Sequence, residues 1–552
     1  MKKIKLIIAL LISINVYSQK DSLEDENVRV QTIFKPMLSE ALKIPVNPNP
    51  EIPESKKPMF MYSLPDISMA VSPTIYTIKP ISLGTMLLPQ LKNNYSRLGF
   101  GNYFTPVFEI YYNSLRNKNW NNGILLKHHS SNGDKNFNTF SNNSISAYSK
   151  YFIGKNSISA DVLYHRNVAH IYGFPNSLNP LPAEDTTKLI YNSTELNFAY
   201  ETLHNDSNDL KVKILSNYNY FSNSKSKSEY NFKLAANFSK LKDGIPYELF
   251  TAINSIHYFV KDSGYQRTFF DLNPKATLAG ENFYIKAGVK IFYFSDNLDS
   301  KLYFLPLAEI AYRIMQNKMT VYTGIGGDLQ RNTFRSIATE NPFVAIPIFE
   351  NTVNTFEMYL GLKGHLGSGT SYLFSANIAN VNNMLFYVQD SNNFSQLPIY
   401  DKGTITLTTY TAEINHHFSE KIRIGLTSKV YEYSMGKLAS PFSRPTVESK
   451  INATYNIGDK FYLHTDIFYV GERISGISNL SNQNYYAFKL NPFVDLNCGI
   501  DYRYNKNVSA FINFNNIASV RYQRWYNYDV YGFNALGGLT LTLNGFGDII
   551  DS

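Results

Sequence analysis

The fold is decided by the stretch Phe283–Tyr293, which reads FYIKAGVKIFY. Every second position from Phe283 is apolar or aromatic, while the positions between them include Lys286 and Lys290. Successive side chains of a β-strand point to opposite faces, so this alternation predicts a strand with one apolar face and one more polar face. Such a strand is longer than the usual globular strand of about 5–6 residues and matches a membrane-crossing strand of about 9–11 residues.

The same alternation recurs through most of the chain, with clear examples at residues 421–430, Val447–Ile457 and Phe488–Tyr502. Turn-forming residues such as Gly458-Asp459 separate these stretches. This rhythm predicts an up-and-down antiparallel meander of about 22 strands, within a range of about 18 to 24. In a propeller or solenoid, turn residues would recur at a fixed interval along the sequence, and the sequence lacks such a repeat.

The predicted fold class is therefore all-β, a closed antiparallel transmembrane β-barrel with a short irregular N-terminal segment. Closure follows because a sheet in hydrocarbon has no water to satisfy its edge groups. The apolar positions should face lipid, and the polar positions should face the interior. Because a barrel of about 22 strands is too wide to fill with its own side chains, we expect a hydrophilic lumen. The candidate lumen-facing residues are Lys286, Lys290, Glu357, Arg423, Glu448, Lys450, Asp495 and Asp501.

The N-terminus resembles a cleaved secretory signal peptide over residues 1–18. A cationic start at residues 2–5 is followed by the apolar stretch Leu6–Ile12, and small residues Val16 and Ser18 precede a cleavage site at Gln19. The apolar stretch is shorter than the roughly 20 residues that a transmembrane anchor needs. We therefore predict export, with the cell outer membrane as the destination and outer-membrane lipid as the surroundings of the barrel.

Residues 19–93 form a separate segment ahead of the barrel, which we assign to residues 94–552. Ten of the 23 prolines lie in this segment. Proline fixes φ and lacks an N–H donor, so we predict an extended periplasmic or lumenal segment with little regular structure.

Composition agrees with this organisation. Aromatic residues make up 15% of the chain and charged residues 17%, against about 25% charged in typical soluble domains. Cys498 is the only cysteine, so no internal disulfide is predicted. The net charge of +8 is not concentrated in one run, so it predicts no nucleic-acid partner.

Two long breaks in the alternation, Ile171–Lys188 and Asn332–Asn351, contain several prolines. Outer loops of membrane barrels are the long ones, so both breaks should lie outside the membrane. The sequence is compatible with either of two roles for these breaks, contact with a ligand or a solvated rim.

The sequence shows no pattern that predicts catalysis or metal binding. His128-His129 and His416-His417 are adjacent pairs, and adjacent strand residues face opposite sides. The G-x-S-x-G pattern of a serine hydrolase is missing from the sequence. Carboxylates such as Glu357 are explained by a hydrated lumen. We predict no enzymatic activity, no catalytic residues, no metal site and no cofactor.

The C-terminal stretch combines an Asn-rich turn at Asn513–Ile517, the aromatic residues Tyr522, Trp525 and Tyr528, and the glycine-containing segment Tyr531–Leu541. In these residues the chain resembles the last strands of TonB-dependent outer-membrane receptors. The resemblance implies that this stretch closes the barrel. It also implies uptake of a solute and a TonB-type energising partner.

The segment Asp25–Val30 resembles a TonB box, the extended strand that pairs with the energising protein; its residues are Glu26, Asn27, Val28, Arg29 and Val30. A solvated tail is the alternative. Two features depart from the family. Residues 19–93 are too short and too rich in proline for a folded plug domain, which we expect to be absent or reduced. The chain also runs on through Asn544–Ser552, whereas family barrels commonly end on an aromatic residue.

Three functions are compatible with these features. The first is an outer-membrane barrel similar to TonB-dependent receptors, which takes up or lets through solutes. The second is a passive porin, in which residues 19–93 are only a periplasmic tail. The third is a structural or assembly component whose barrel anchors a partner such as a capping lipoprotein. Mixed charge in the predicted lumen fits many substrates, so the sequence names none.

Overall fold

A computed structural model describes residues 94–543 except 115–116, 176–177, 179, 204–208, 262, 297–298, 317, 345–348, 368 and 480–483. The described chain forms 26 strands and two short helices. The helices are α1 (Glu184–Thr187) and α2 (Phe334–Glu340). The first thirteen strands are β1 (Asn94–Gly101), β2 (Thr105–Asn113), β3 (Trp120–Ser131), β4 (Phe140–Ile153), β5 (Asn156–His170), β6 (Lys188–Thr202), β7 (Lys211–Asn223), β8 (Lys227–Lys242), β9 (Ile245–Val260), β10 (Ser263–Ala279), β11 (Phe283–Asp296), β12 (Ser300–Met315) and β13 (Met319–Gln330).

The second half of the chain continues the same meander. Its strands are β14 (Thr352–Leu366), β15 (Thr370–Asp390), β16 (Gln396–His417), β17 (Ile422–Ser434), β18 (Val447–Ile457), β19 (Phe461–Val470), β20 (Arg473–Asn479), β21 (Asn484–Leu490), β22 (Phe493–Arg503), β23 (Val508–Asn515), β24 (Gln523–Trp525), β25 (Tyr528–Asp529) and β26 (Asn534–Leu543).

The described strands build a closed antiparallel barrel. The main sheet contains 24 strands, of which β20 and β21 form a hairpin whose described strand pairing with the wall is at the end of β15. The other 22 strands form the barrel, and β1 pairs with β26 to close it. The predicted fold class and strand number are therefore confirmed. Strands β24 and β25 form a separate hairpin.

The two ends of the barrel differ in the length of their connections. At one end the turns are short, as between β8 and β9, where Asp243 and Gly244 have φ angles of 53° and 76°. A two-residue type I′ turn requires positive φ at both positions, and Asp-Gly supplies them at low cost. At the other end lie the long loops. Since periplasmic turns of such barrels are short and outer loops are long, we call these the inner and outer ends. Asn94 pairs with Leu543 at the inner end.

The outward face of the wall is apolar, as lipid requires. Leu98, Phe304, Ile310 and Leu360 are each more than half exposed on this face. In β11 the exposed Phe283, Ile285 and Tyr293 share it. No helix in the described part of the chain is long and apolar enough to cross a membrane.

Candidate functional site

The inward face of the wall carries the charged residues. By strand pairing, the eight candidate lumen residues lie on the strand faces opposite to the exposed apolar ones: Lys286, Lys290, Glu357, Arg423, Glu448, Lys450, Asp495 and Asp501. They are distributed around the wall rather than gathered into one site. Their part in a solute path stays a prediction.

Several of these charges have partners of opposite sign on neighbouring strands. Lys286 Nζ lies 3.7 Å from Glu309 Oε1, and Lys450 Nζ lies 2.9 Å from Asp466 Oδ1. Lys290 lies 3.5 Å from Asp328. The wall is thus hydrophilic but largely compensated in charge, which suits a water-filled interior without strong preference for one ion sign.

The outer end is covered by a packed layer of loops, which we call the cap. It consists of the described residues of the loops 132–139, 171–187, 331–351, 391–395, 435–446, 471–492 and 516–533. These loops follow β3, β5, β13, β15, β17, β19 and β23, and they contact one another. Asp134 pairs with Arg521 at 2.9 Å, Arg444 pairs with Glu340 at 2.8 Å, and Arg473 donates to the carbonyl oxygen of Gln523 at 2.6 Å.

Tyr528 lies at the centre of the cap and is 1% exposed. Its ring stacks on Phe343 with centroids 4.0 Å apart and meets the edge of Tyr172 at 4.9 Å. Its hydroxyl donates to the carbonyl oxygen of Phe394 at 2.8 Å. Burial raises the pKa of Tyr528 well above its ordinary value. Aromatic residues from four loops thus build a core of the kind found inside soluble domains.

The loop 331–351 carries α2 and bends inward against the wall. Phe334 in α2 is fully buried between Tyr191, Phe221 and Tyr258, which face inward from β6, β7 and β9. Neither a solvated rim nor an exposed ligand-contact loop describes this segment. Its apolar residues explain the difference, because they have a complementary aromatic surface on the inner wall.

Charged contacts fix the same loop to three strands. Glu229 of β8 accepts from the backbone N–H of Phe334 at 2.6 Å, at the positive N-terminal end of α2. Arg335 Nη2 lies 2.6 Å from Glu195 Oε2 on β6, and Arg331 is hydrogen-bonded to Asp271 on β10. We call Glu195, Glu229 and Asp271 the latch carboxylates.

At its other end the loop reaches the opposite part of the barrel. Glu340 accepts from the hydroxyl of Tyr387 at 2.9 Å and from Arg444. Pro342 lies back toward the first side, because its carbonyl oxygen accepts from the hydroxyl of Tyr191 on β6 at 2.8 Å. The loop therefore spans from β6–β10 to β15 and the β17–β18 connection, across the outer mouth.

Two cavities lie between the cap and the inner wall. The first, of about 540 Å³, faces β4–β7 and includes Asn142, Asn167 and Tyr191. The second, of about 500 Å³, faces β18, β19 and β22 and includes Glu448, Arg473 and Asp495. Arg524 of the cap lines both cavities. Their sizes are in the range of small-molecule sites.

The sequence did not point to the residues that hold the cap. These residues include Arg444, Arg473, Glu229 and also Arg267 of β10, which donates to Asn351 Oδ1 at 3.2 Å and to the carbonyl oxygen of Asn332 at 2.5 Å. All four lie in stretches whose sequence pattern indicates ordinary strands or turns. The concentration of aromatic residues in 516–533 is the one sequence signal for the cap. The resemblance to TonB-dependent receptors assigns these residues only to barrel closure. The TonB-box-like residues Glu26–Val30 lie outside the described residues, so they stay a prediction.

The histidine pairs lie on β3 and β16. In the described ranges, no group of three or more His, Cys, Asp or Glu side chains is arranged to hold a metal ion.

Comparisons with known proteins rest on structure alone, since no family model and no curated protein sequence matches the chain. The iron transporter FrpB of Neisseria meningitidis (F3-3 variant) superposes with a TM-score of 0.64 at 11% identity, over 82% of this chain and 82% of that one. This barrel has the fold of TonB-dependent receptors.

Other receptors of this fold give similar values. The ferric-catecholate import receptor Fiu of E. coli K12 has a TM-score of 0.62 at 10% identity, over 82% of each chain. The siderophore receptor PiuA of Acinetobacter baumannii has the same TM-score, identity and coverage. The same barrel fold thus occurs in chains that are only 10–11% identical to this one, and the resemblance of Asn513–Leu541 is confirmed at the level of fold.

Proposed function

We propose that this chain is an outer-membrane uptake protein in which a solute passes through the receptor-type barrel when the cap opens. The observation that carries the proposal is the combination of a 22-strand barrel, wide enough for a hydrated lumen, with a cap that crosses its outer mouth. A wide pore that is covered by its own loops needs a controlled opening. The similar structures named above are an iron transporter, a ferric-catecholate import receptor and a siderophore receptor, which supports solute uptake as the class of function.

Export and energising are parts of the same proposal. Residues 1–18 would be removed on export, and the mature protein would start at Gln19. A TonB-type protein would bind the segment Glu26–Val30 from the periplasm and supply the work of opening. We assign the chain no enzymatic activity.

A passive porin and a scaffold would each require a different property of the cap. A passive porin needs a mouth that is open without a partner, which the interlocked loops oppose. A scaffold needs a stable outer surface for a partner such as a capping lipoprotein, and the packed core of the cap favours this as the second candidate.

The discriminating experiment is a liposome-swelling assay on the mature protein, residues 19–552, and on a form that lacks residues 19–93. Swelling is measured with neutral saccharides of increasing size. We expect little swelling from either form, because the cap remains latched in both. A protein purified from its native outer membrane is examined in parallel for a bound partner.

Rapid swelling by both forms would make the chain a passive porin. Swelling only after removal of residues 19–93 would make that segment the principal barrier. A stoichiometric partner protein that remains bound, together with no swelling under any condition, would favour the scaffold.

A further inference from the structure

We propose that the cavity between the cap and strands β18, β19 and β22 binds a short zwitterionic peptide, with Arg524 at its carboxylate and Glu448 at its ammonium group. This inference rests on the proposed uptake function and names a substrate class for it. It depends on four charged side chains that share one cavity without neutralising one another.

The four side chains are Arg473, Arg524, Glu448 and Asp495, and all line the cavity of about 500 Å³. Within the described residues, none of them has an oppositely charged side-chain atom within 4.0 Å. The neighbouring Arg444 and Glu340, in contrast, form a direct pair at 2.8 Å. Because this pair lines the cavity too, the cavity holds three positive and three negative groups, of which these four have no direct counter-charge.

Contacts with the scaffold explain this separation. Arg473 is 5% exposed and donates to two carbonyl oxygens, of Gln523 at 2.6 Å and of Arg524 at 2.8 Å, while its Nε has no partner. Asp495 accepts from the hydroxyl of Tyr522 at 2.8 Å. Glu448 accepts from the hydroxyl of Tyr431 at 3.2 Å. Arg473, Asp495 and Glu448 are thus hydrogen-bonded to neutral groups rather than to a counter-charge.

Arg524 and Glu448 are the accessible members of the set, because both side chains are exposed to the barrel interior. Aromatic rings line the same cavity. Phe493 and Tyr522 are stacked with centroids 3.6 Å apart, and the buried Trp525 is a further lining residue. Charged groups of both signs and an aromatic surface in one cavity match the backbone ends and side chains of a short peptide.

Ligands with a single charge fit less well. An anion would satisfy Arg524 but would bring its charge toward Glu448 and Asp495, and a cation would meet the reverse problem at Arg473. A neutral sugar would leave all four charges without a counter-charge. A dipolar ligand meets both signs at once, and preformed charges need no rearrangement to receive it.

The chain provides its own reporter for a binding test. It has two tryptophans, of which Trp120 faces outward at the inner end and Trp525 lines the cavity. Full mature protein with Trp120→Phe therefore emits only from Trp525. We would titrate it in detergent at neutral pH with trialanine, N-acetyl-trialanine and trialanine amide. Calorimetry with trialanine on the unaltered protein repeats the measurement without the tryptophan change.

We expect trialanine to change the Trp525 emission in a saturable way. Each blocked peptide loses one charged contact and should bind about 10-fold more weakly or worse. Arg524→Gln should weaken trialanine to a similar extent and remove the penalty for amidation. Glu448→Gln should do the same for N-acetylation. Matched controls are Arg521→Gln, three residues from Arg524 but paired with Asp134, and Glu472→Gln, which is paired with Lys489.

No saturable signal with trialanine, by fluorescence and calorimetry alike, would overturn the inference. Equal affinity for the free and blocked peptides would also overturn it, as would equal effects of Arg524→Gln and Arg521→Gln. Binding does not require transport in this assay. A protein that binds trialanine in this pattern but moves no solute would retain the site and lose the proposed uptake function.

Discussion

Glu229 is a single carboxylate that connects the barrel wall to the cap. It is 1% exposed, and its Oε2 accepts a hydrogen bond from the Phe334 N–H at the first turn of α2. Buried carboxylates at helix N-termini interact with unpaired N–H groups and with the helix dipole. Its position on β8 decides where the loop 331–351 meets the wall.

Replacement of this carboxylate should loosen α2 without unfolding the barrel. We expect Glu229→Gln to lower the free energy of local opening of α2 by about 1–2 kcal/mol, because the amide keeps an acceptor but loses the charge. Hydrogen exchange of the amides at residues 334–340 measures this opening. Glu248→Gln on β9, which is paired with Lys275 at 2.9 Å, is the matched control. Unchanged exchange in the Glu229 variant would contradict the assignment.

Tyr531 gives the cap a dependence on alkaline pH. Burial raises its pKa to about 12, against about 10 for an unfolded tyrosine. The folded cap therefore holds the phenol proton more tightly than the unfolded chain. Its stabilising effect is complete below pH 10 and is lost as pH rises through about 12.

The expected result is a cap that opens between about pH 10 and 12 while the barrel remains folded. Emission from Trp525 in the Trp120→Phe protein reports the opening, and far-ultraviolet circular dichroism reports the barrel. In a Tyr531→Phe variant the opening should shift to higher pH. Identical profiles for the two proteins would show that other buried phenols, such as Tyr172, control the cap.

For a single residue, the sequence predicts which face of the strand its side chain lies on, but not which residues it contacts. Strict alternation is enough to assign Lys286 or Asp495 to one strand face, because the geometry of a strand repeats every two residues. The partners of Glu229 and Arg473 lie 105 and 50 residues away along the chain. No local pattern encodes such pairs, since they depend on how loops from distant strands meet.

The pairing between β1 and β26 closes the row of strands into a barrel. Gly99 is paired with Gly538 there, and the guanidinium of Arg97 lies 3.9 Å from the Phe511 ring centroid beside them. A Cβ on Gly538 would lie 2.0 Å from the carbonyl oxygen of Leu98. Only glycine allows the backbones to approach so closely.

Gly538→Val should therefore prevent correct closure. We expect a loss of stability of at least about 3 kcal/mol, since backbone atoms cannot move aside as a flexible side chain would. Folded barrels resist detergent and run differently from heated ones on gels, so the fraction that shifts on heating measures closure. Leu539→Val, at the lipid-facing neighbour, serves as the control and should close normally. A Gly538→Val protein with a full heat shift would refute the role of this pair.

The sequence predicts strands far better than it predicts loops. Alternating stretches such as Phe283–Tyr293 lie in long strands, and Asp-Gly or Gly-Asp pairs mark their turns. The loops Ile171–Lys188 and Asn332–Asn351 were recognised as long but not as packed. The packing of their apolar residues, such as Phe334 and Ile337, cannot be predicted from the loop sequences, because it depends on residues of the inner wall such as Tyr191 and Phe221.

In the whole molecule, the number of strands sets the width of the barrel, and the loops cover its outer end. A barrel of this width would be an open pore if its loops were short. Here the hydrophobic effect acts on loop residues much as it does in a soluble domain, and it buries Phe334, Ile337 and Tyr528 above a hydrated lumen. The latch carboxylates tie that layer to the wall.

We expect the cap, held by the latch carboxylates, to close the outer mouth. Single-channel conductance in planar bilayers tests it most directly, on the unaltered protein and on the triple variant Glu195→Gln, Glu229→Gln, Asp271→Asn. The control neutralises three lumen-facing carboxylates away from the cap, with Asp161→Asn, Glu201→Gln and Glu248→Gln. Each protein is measured with and without residues 19–93, which separates a block by that segment from a block by the cap.

We predict that the unaltered and control proteins lacking residues 19–93 show only small or rare openings, whereas the latch variant shows large and frequent ones. Large, steady conductance in the unaltered barrel, equal to that of the latch variant, would contradict the claim.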